Sequence, residues 1–255
     1  MKALNLTGFL DLIYLAPNSW ENKLNQEMHL HLIYSRNERW EVIPLGSILP
    51  RQNVRFTTHE FNEVFTENTL AIIYPSVHKI EGSLKVLPDK PYWTSHIPEW
   101  RNTSGFSNFH AQVSYQSEIY PLPTKGTLLS FHPFIQYSKI NNYLLILNLI
   151  SSPRIFEKKL EIFDSLSGAK YGETSIYTNS VTVIDLDKFD IPETSLPAMV
   201  SLETAAIPFG LGISTDNTML SLEHTHPPAS FTLFGDRSKN QSQIKASWFN
   251  KLVQK

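Results

Sequence analysis

Short runs in which apolar residues either alternate with polar ones or form an unbroken stretch of strand formers recur along the whole chain. In the first half they are Met28 to Tyr34, Trp40 to Leu45, Asn53 to Thr58, Thr69 to Tyr74 and Gly82 to Leu87. In the second half they are Tyr143 to Ile150, Leu160 to Phe163, Thr174 to Leu186, Met199 to Leu202 and Thr218 to Glu223. Residues two apart on a strand share a face, so these runs predict half-buried or fully buried strands. Turn formers separate them, as in Ser151-Ser152-Pro153 and Asp164 to Gly168. The pattern predicts an all-β chain of antiparallel β-sandwiches.

The order of runs is similar in the two halves, which predicts two tandem antiparallel β-sandwich units, each near the roughly 100 residues usual for such modules. At the level of architecture alone the pattern resembles immunoglobulin-like modules, without their cysteine pair. The stretch Tyr120-Pro121-Leu122-Pro123-Thr124-Lys125-Gly126 places two prolines and a glycine before a new apolar run, where ladder donors are missing. This sets the expected division at 1–120 for the first sandwich and 121–236 for the second. One larger sandwich is the competing organisation. From 237 to 255 the period changes: Ile244, Trp248 and Leu252 recur every four residues, with Phe249 and Val253 beside them. A short C-terminal amphipathic helix follows, capped by Asp236 or Ser238. Its stripe suits docking on a sandwich, and its lysines suit an anionic surface or a partner.

Composition narrows the function classes. At 255 residues and 29.2 kDa the chain has ample core. Twenty-two Lys and Arg against 24 Asp and Glu give a net charge of −2, so nucleic acid is not expected as a partner. The longest apolar run, interrupted by Asn148, is far below the roughly 20 residues of a spanning helix. Asn5, Thr7 and Asp11 break what would be the apolar region of a signal peptide, so a cytoplasmic location is the default expectation. The absence of cysteine excludes disulfides, thiol catalysis and thiolate metal sites. With 10 glycines beside 16 prolines, most turns must use Pro, Asn, Asp or Ser.

Two histidine pairs carry the metal hypothesis. Glu223-His224-Thr225-His226-Pro227-Pro228 would point His224 and His226 to one side of a strand, where they could chelate zinc, iron or manganese, with Glu223 nearby. A third ligand is still required, and the two imidazoles share parity with Leu220 and Leu222, which equally suits histidines closing a core. His29 and His31, with Glu27, form an expected accessible polar row opposite Met28, Leu30, Leu32 and Tyr34. His132 is a further candidate. Cupins place a glutamate three or four residues beyond their second histidine, a pattern neither pair matches. Asp185 and Asp187, expected on one strand face, suit calcium or the solvation of a sheet edge.

The strand expected from Phe109 to Tyr120 supplies a different chemistry. Phe109, Ala111, Val113, Tyr115 and Ile119 would face inward, while His110, Gln112, Ser114, Gln116 and Glu118 would form a row of donors and acceptors. Trp93, His96 and Trp100 precede it in a proline-bounded aromatic loop, and exposed indoles stack on sugar rings. Solvation of a half-buried strand and packing of the tryptophans are the ordinary alternatives. No phosphate-binding loop, dinucleotide fingerprint or Gly-x-Ser-x-Gly elbow occurs. The expectation is a noncatalytic binding or accessory protein that recognises a small polar, carbohydrate-like ligand or a protein partner. A metal-dependent enzyme built on His224 and His226 is the alternative, and a structural, oligomer-forming subunit is a third.

Overall fold

The computed structural model describes residues 4–15, 27–65, 68–87, 100–116, 119–131, 139–192, 194–224 and 237–253; of Trp100, His224 and 237–242 the backbone alone is described. Among the described residues sixteen strands form four antiparallel four-stranded sheets, followed by one α-helix. The chain divides into two compact units, one of Met1–Pro121 with Leu149–Ile155, the other of Leu122–Asn148 with Phe156–Lys255.

In the first unit β1 (Thr7–Tyr14), β4 (Asn53–Thr57), β7 (Trp100–Ser107) and β8 (Gln112–Gln116) make one sheet in the order β4-β1-β7-β8. The second sheet, β5-β2-β3-β6, joins β2 (Met28–Arg36), β3 (Arg39–Ile48), β5 (Ala71–Ser76) and β6 (Ser83–Leu84). Leu12, Tyr14 and Phe56 from the first sheet share a core with Met28, Leu30 and Ile48 from the second. The two-residue turn between β2 and β3 is made by Asn37 and Glu38, both with positive φ, which suits the twist of a tight hairpin. A bulge follows in β3: Leu30 pairs with Gly46 and His31 with Pro44, leaving Leu45 as the extra residue. The segment Leu149–Ile155 is a strap on this unit. Its Ser151 carbonyl accepts from the indole N–H of the fully buried Trp40 at 2.9 Å and from Leu87 N at 3.1 Å. Ser35 Oγ donates to the Pro153 carbonyl.

In the second unit one sheet, β13-β10-β15-β16, contains β10 (Ile140–Asn148), β13 (Ser180–Asp185), β15 (Ile207–Ser214) and β16 (Leu220–His224). The other, β12-β11-β14-β9, contains β9 (Leu128–Phe131), β11 (Glu157–Asp164), β12 (Lys170–Tyr177) and β14 (Pro197–Ser201). Leu144, Ile146 and Ile184 meet Leu128, Leu160, Ile162, Ile176 and Met199 in the core between them. Asn148 ends the apolar run of β10 without breaking burial, because its Nδ2 donates to Thr204 Oγ1 and the Ala205 carbonyl at 2.9 and 2.7 Å. The reverse face of the β9-β14 side is covered by α1 (Arg237–Leu252), whose Trp248, Phe249 and Leu252 pack with Leu129, Phe131, Phe163, Ala198 and Val200.

The similar build expected of the two halves does not extend to topology. The first strand of the first unit lies inside its sheet, between the fourth and seventh strands, whereas β9, the first of the second unit, forms an edge beside β14. The run from Thr174 to Leu186 is two strands in different sheets, because Asn179 takes a left-handed φ of 53° and turns the chain from β12 to β13. Asparagine and aspartate do this repeatedly: Asn5, Asn37, Asn68, Asn179, Asp190 and Asn217 all have positive φ.

Candidate ligand-binding face

β8 alternates as its sequence suggests: Gln112, Ser114 and Gln116 are exposed, while Val113 and Tyr115 are half-buried. The strand is shorter than expected, however. His110 lies in the β7–β8 turn, where His110 N and Ala111 N both donate to Asn108 Oδ1 at 2.9 and 2.8 Å. Phe109, expected on the buried face, is 96% exposed at this tip and meets only the His110 ring edge-on among the ring contacts described, at 5.1 Å. The turn ends the alternation before residue 109, so parity no longer directs that ring inward. Gln112 and Gln116 therefore share one face, with His110 at its rim.

Antiparallel register carries the polar row across the whole sheet. Gln116 pairs with Thr103, Thr103 with Asp11, and Asp11 with Arg55, so four residues from four strands form one line on one face. The adjacent line runs Ser114, Gly105, Phe9, Thr57. Gly105 is required here, since a Cβ would lie 1.9 Å from the Val113 carbonyl oxygen and 2.9 Å from the edge of the Phe9 ring. Phe9 thus lies over the glycine and is itself buried. The Arg55 guanidinium stands 4.5 Å above the Phe9 ring. It also grips Asp11 in a two-pronged pair, Nε to Oδ1 and Nη2 to Oδ2, both 2.6 Å, and reaches Gln112 Oε1 from Nη1 at 3.4 Å.

The pairing fixes the electrostatics. Hydrogen bonding from Arg55 holds the Asp11 carboxyl below its ordinary value, against the opposing effect of burial, and Asp11 raises Arg55 in return. Both remain accessible, at 48% for the Arg55 side chain and 31% for Asp11. The face therefore presents a fixed carboxylate, a guanidinium plane backed by an aromatic ring, two carboxamides and the Ser114 and Thr103 hydroxyls. Such a set can donate to and accept from the same small ligand.

Of the other expected ligand-binding residues, Trp93, His96 and Glu118 lie outside the described residues, as does the side chain of Trp100. The backbone of Trp100 begins β7 and pairs with Tyr14. Asp11, Arg55 and Phe9 were not among the expected residues. The signal was present: Asp11 alternates with Leu10 and Leu12, and Arg55 with Val54 and Phe56. What the sequence lacks is the non-local pairing that sets β1 between β4 and β7.

The histidine pairs fare differently. His31 is fully buried rather than part of an accessible row. Its Nε2 accepts from Ile80 N at 2.9 Å, so the ring proton sits on Nδ1 and is donated to the Tyr74 carbonyl at 3.2 Å. Burial holds its pKa down, with His29 adding to the effect. Both nitrogens are engaged, which removes His31 as a metal ligand. On the β16 edge, His224 pairs with Phe209 and Glu223, exposed, with Gly210; the His224 side chain, His226 and His132 lie outside the described set. Among the described residues, no three His, Asp or Glu side chains cluster in a way that would hold a metal ion. Asp185 and Asp187 do not share a strand face: Asp185 ends β13 and caps a 3-10 helix, Leu186–Phe189, by accepting from Asp187 N at 3.2 Å.

A second polar chain, Tyr171 OH to Ser195 Oγ to Asp164 Oδ1 at 2.8 and 3.1 Å, closes a turn. Asp164 also accepts from Ser167 Oγ, Ser167 N and Leu166 N, and these bonds depress its pKa to about 2. An acceptor so fully occupied serves the turn. No helix among the described residues is long and apolar enough to cross a membrane. No family model, curated protein or solved structure matches the chain.

Proposed function

We propose that the chain is a noncatalytic binding or accessory protein whose ligand is polar and hydroxyl-rich, carbohydrate-like in chemistry, and lies on the β4-β1-β7-β8 face. The observation that supports it most is the Arg55 guanidinium, which lies over Phe9, is locked to Asp11 and reaches Gln112. Three strands, β1, β4 and β8, thereby contribute to one preorganised set of donors and acceptors, and preorganisation reduces the cost of ordering side chains on binding. His110, Gln112 and Gln116 border this set, and Trp93, His96, Trp100 and Glu118 remain part of the proposal as stacking and polar neighbours.

The test is a screen of neutral and acidic oligosaccharides by ligand-observed NMR on the whole chain, repeated with Arg55→Gln and with Gln112→Ala/Gln116→Ala. At least a tenfold loss of affinity with an unchanged unfolding midpoint is expected in both variants. Affinity that survives both substitutions, but is abolished by changes on another surface, would refute the reading.

A further inference from the structure

The edge strands of the four sheets are protected in different ways. In the first unit β4 carries Arg55, β5 contains Pro75, and β6 is only two residues long. In the second, β12 carries Lys170 and Glu173, β13 ends in Asp185, β16 holds Glu223, and β9 is buried from Leu128 to Ser130. Charge, proline, shortness and burial are the ordinary means of preventing another strand from adding to an edge. β8, the remaining edge among the described residues, has none of them. Its Gln112-Val113-Ser114-Tyr115-Gln116 contains no charged residue, proline or glycine, and its register with β7 runs without a bulge.

The turn before β8 fixes which of its backbone groups point outward. Asn108 N donates to the Ala111 carbonyl at 3.0 Å, which makes Asn108 and Ala111 a hydrogen-bonded pair. Opposed pairs in an antiparallel ladder alternate between bonded and non-bonded. Phe106 with Val113 and Ser104 with Tyr115 are therefore the bonded pairs of the β7–β8 ladder, and Gln112, Ser114 and Gln116 direct their N–H and C=O groups away from β7. Among the described residues no strand lies on that side to meet them. The side chains of Gln112, Ser114 and Gln116 are exposed, while Val113 and Tyr115 on the opposite face are only half-buried.

The strand reads nearly the same in both directions, Gln-Val-Ser-Tyr-Gln, and a self-complementary strand suits a copy of itself. We propose that two copies of this chain pair antiparallel through β8, about a two-fold axis at Ser114. That register sets Ser114 opposite Ser114 and Gln112 opposite Gln116, so all three outward-directed residues exchange backbone bonds at once. On the inner face Val113 meets Tyr115, a β-branched and aromatic cross-strand pair, and each half-buried side chain gains cover. No like charges face each other along the seam. Opposed residues share a face, so the two four-stranded sheets become one continuous sheet with both polar rows on the same side. The pairing is made by the strand edge and stands whether or not the polar face takes a ligand.

Five residues a side make a short seam, so the dimer is expected to form with rising concentration and to dissociate on dilution. Sedimentation velocity on the whole chain, from micromolar to submillimolar, should show the mass rising from 29.2 kDa towards twice that value. Ser114→Lys and Ser114→Glu, at an exposed side chain, each place like charges opposite one another on the axis. Either substitution alone should weaken dimerisation at least tenfold with an unchanged unfolding midpoint. An equimolar mixture of the two variants should recover the dimer, because lysine then faces glutamate. A chain that stays at 29.2 kDa throughout, a dimer indifferent to both substitutions, or a mixture that stays monomeric would each overturn the proposal.

Discussion

Gly105 and His31 show how single atoms decide what a position tolerates. At Gly105→Ala the added methyl would meet the Val113 backbone carbonyl at 1.9 Å and the Phe9 ring at 2.9 Å; the carbonyl cannot retreat without opening the β7–β8 ladder, and the ring must swing aside. Overpacking of this kind costs about 1–3 kcal/mol; chemical denaturation should show that loss, and Arg55 should lose its aromatic support with it. For His31→Phe the shape is nearly kept but Ile80 N loses its acceptor, a cost of about 1–3 kcal/mol for a buried donor left unpaired. The lowered pKa of His31 means that the unfolded chain takes up the proton first. Its contribution to stability is therefore complete above the ordinary imidazole value of about 6.5 and is lost as the pH falls below it. Unfolding midpoints between pH 7.5 and 5 should decline in the native chain and stay flatter in His31→Phe.

Among the elements, the terminal helix is the clearest case of a sheet face that needs a cover. The reverse face of β12-β11-β14-β9 is treated in two ways. On the β11–β12 side, Lys159 and Lys170 each bridge Glu161 and Glu173 at 2.5–3.1 Å, a charged surface suited to water. On the β9–β14 side, Leu129, Ala198 and Val200 are buried beneath α1. The basic residues that suggested an anionic partner include two that hold the helix in place. Lys245 Nζ donates to the Thr127 carbonyl at 2.6 Å and Lys251 Nζ to the Ser165 carbonyl at 2.7 Å, with Lys251 also 4.6 Å from the Trp248 ring. Leu252→Ala should cost about 2–5 kcal/mol, the range for a buried leucine. Deleting 237–255 should expose the apolar face and raise the oligomeric mass seen by light scattering. Most strands, the helix and the use of Asn and Asp in turns were legible in the sequence, because each depends on residues close together along the chain; β1, β7 and β15 were not, since they do not fall among the runs expected as strands. Sheet partners were not. Asp11 and Arg55 are brought together by the β1–β4 pairing, and His31 is hidden by the approach of Tyr74 and Ile80, which no local pattern announces. The β3 bulge was equally silent, since Pro44-Leu45-Gly46 reads as a strand end rather than as an inserted residue.

At the scale of the molecule, the division into units does not follow the chain as a single cut. The first unit includes Leu149–Ile155, so a fragment ending at Pro121 lacks the carbonyls that Trp40, Leu87 and Ser35 use. That fragment should be markedly less stable in urea than the first unit within the whole chain, with Trp40 fluorescence shifted to the red. A fragment that keeps the full stability and emission would show that the strap is dispensable. Acid should act on the whole molecule in stages. His31 accounts for the loss beginning below about pH 6.5. Glu173, held near 2 by hydrogen bonds from Lys170 and Lys159, and Asp216, held near 2 by Ser214 and Thr218, contribute support that is present above the ordinary carboxylate range and lost as the pH falls towards 2.

The strap also gives the protein a clock. Ribosomes add roughly 5–20 residues per second. The stretch from 122 to 155 therefore separates the emergence of Pro121 from that of the last residue belonging to the first unit by roughly 2–7 s. During that interval the Trp40 indole N–H has no Ser151 carbonyl to meet, and a nascent chain exposes an incomplete sandwich to chaperones. Synonymous codons that slow translation between 122 and 155 would lengthen that exposure without changing a single amino acid.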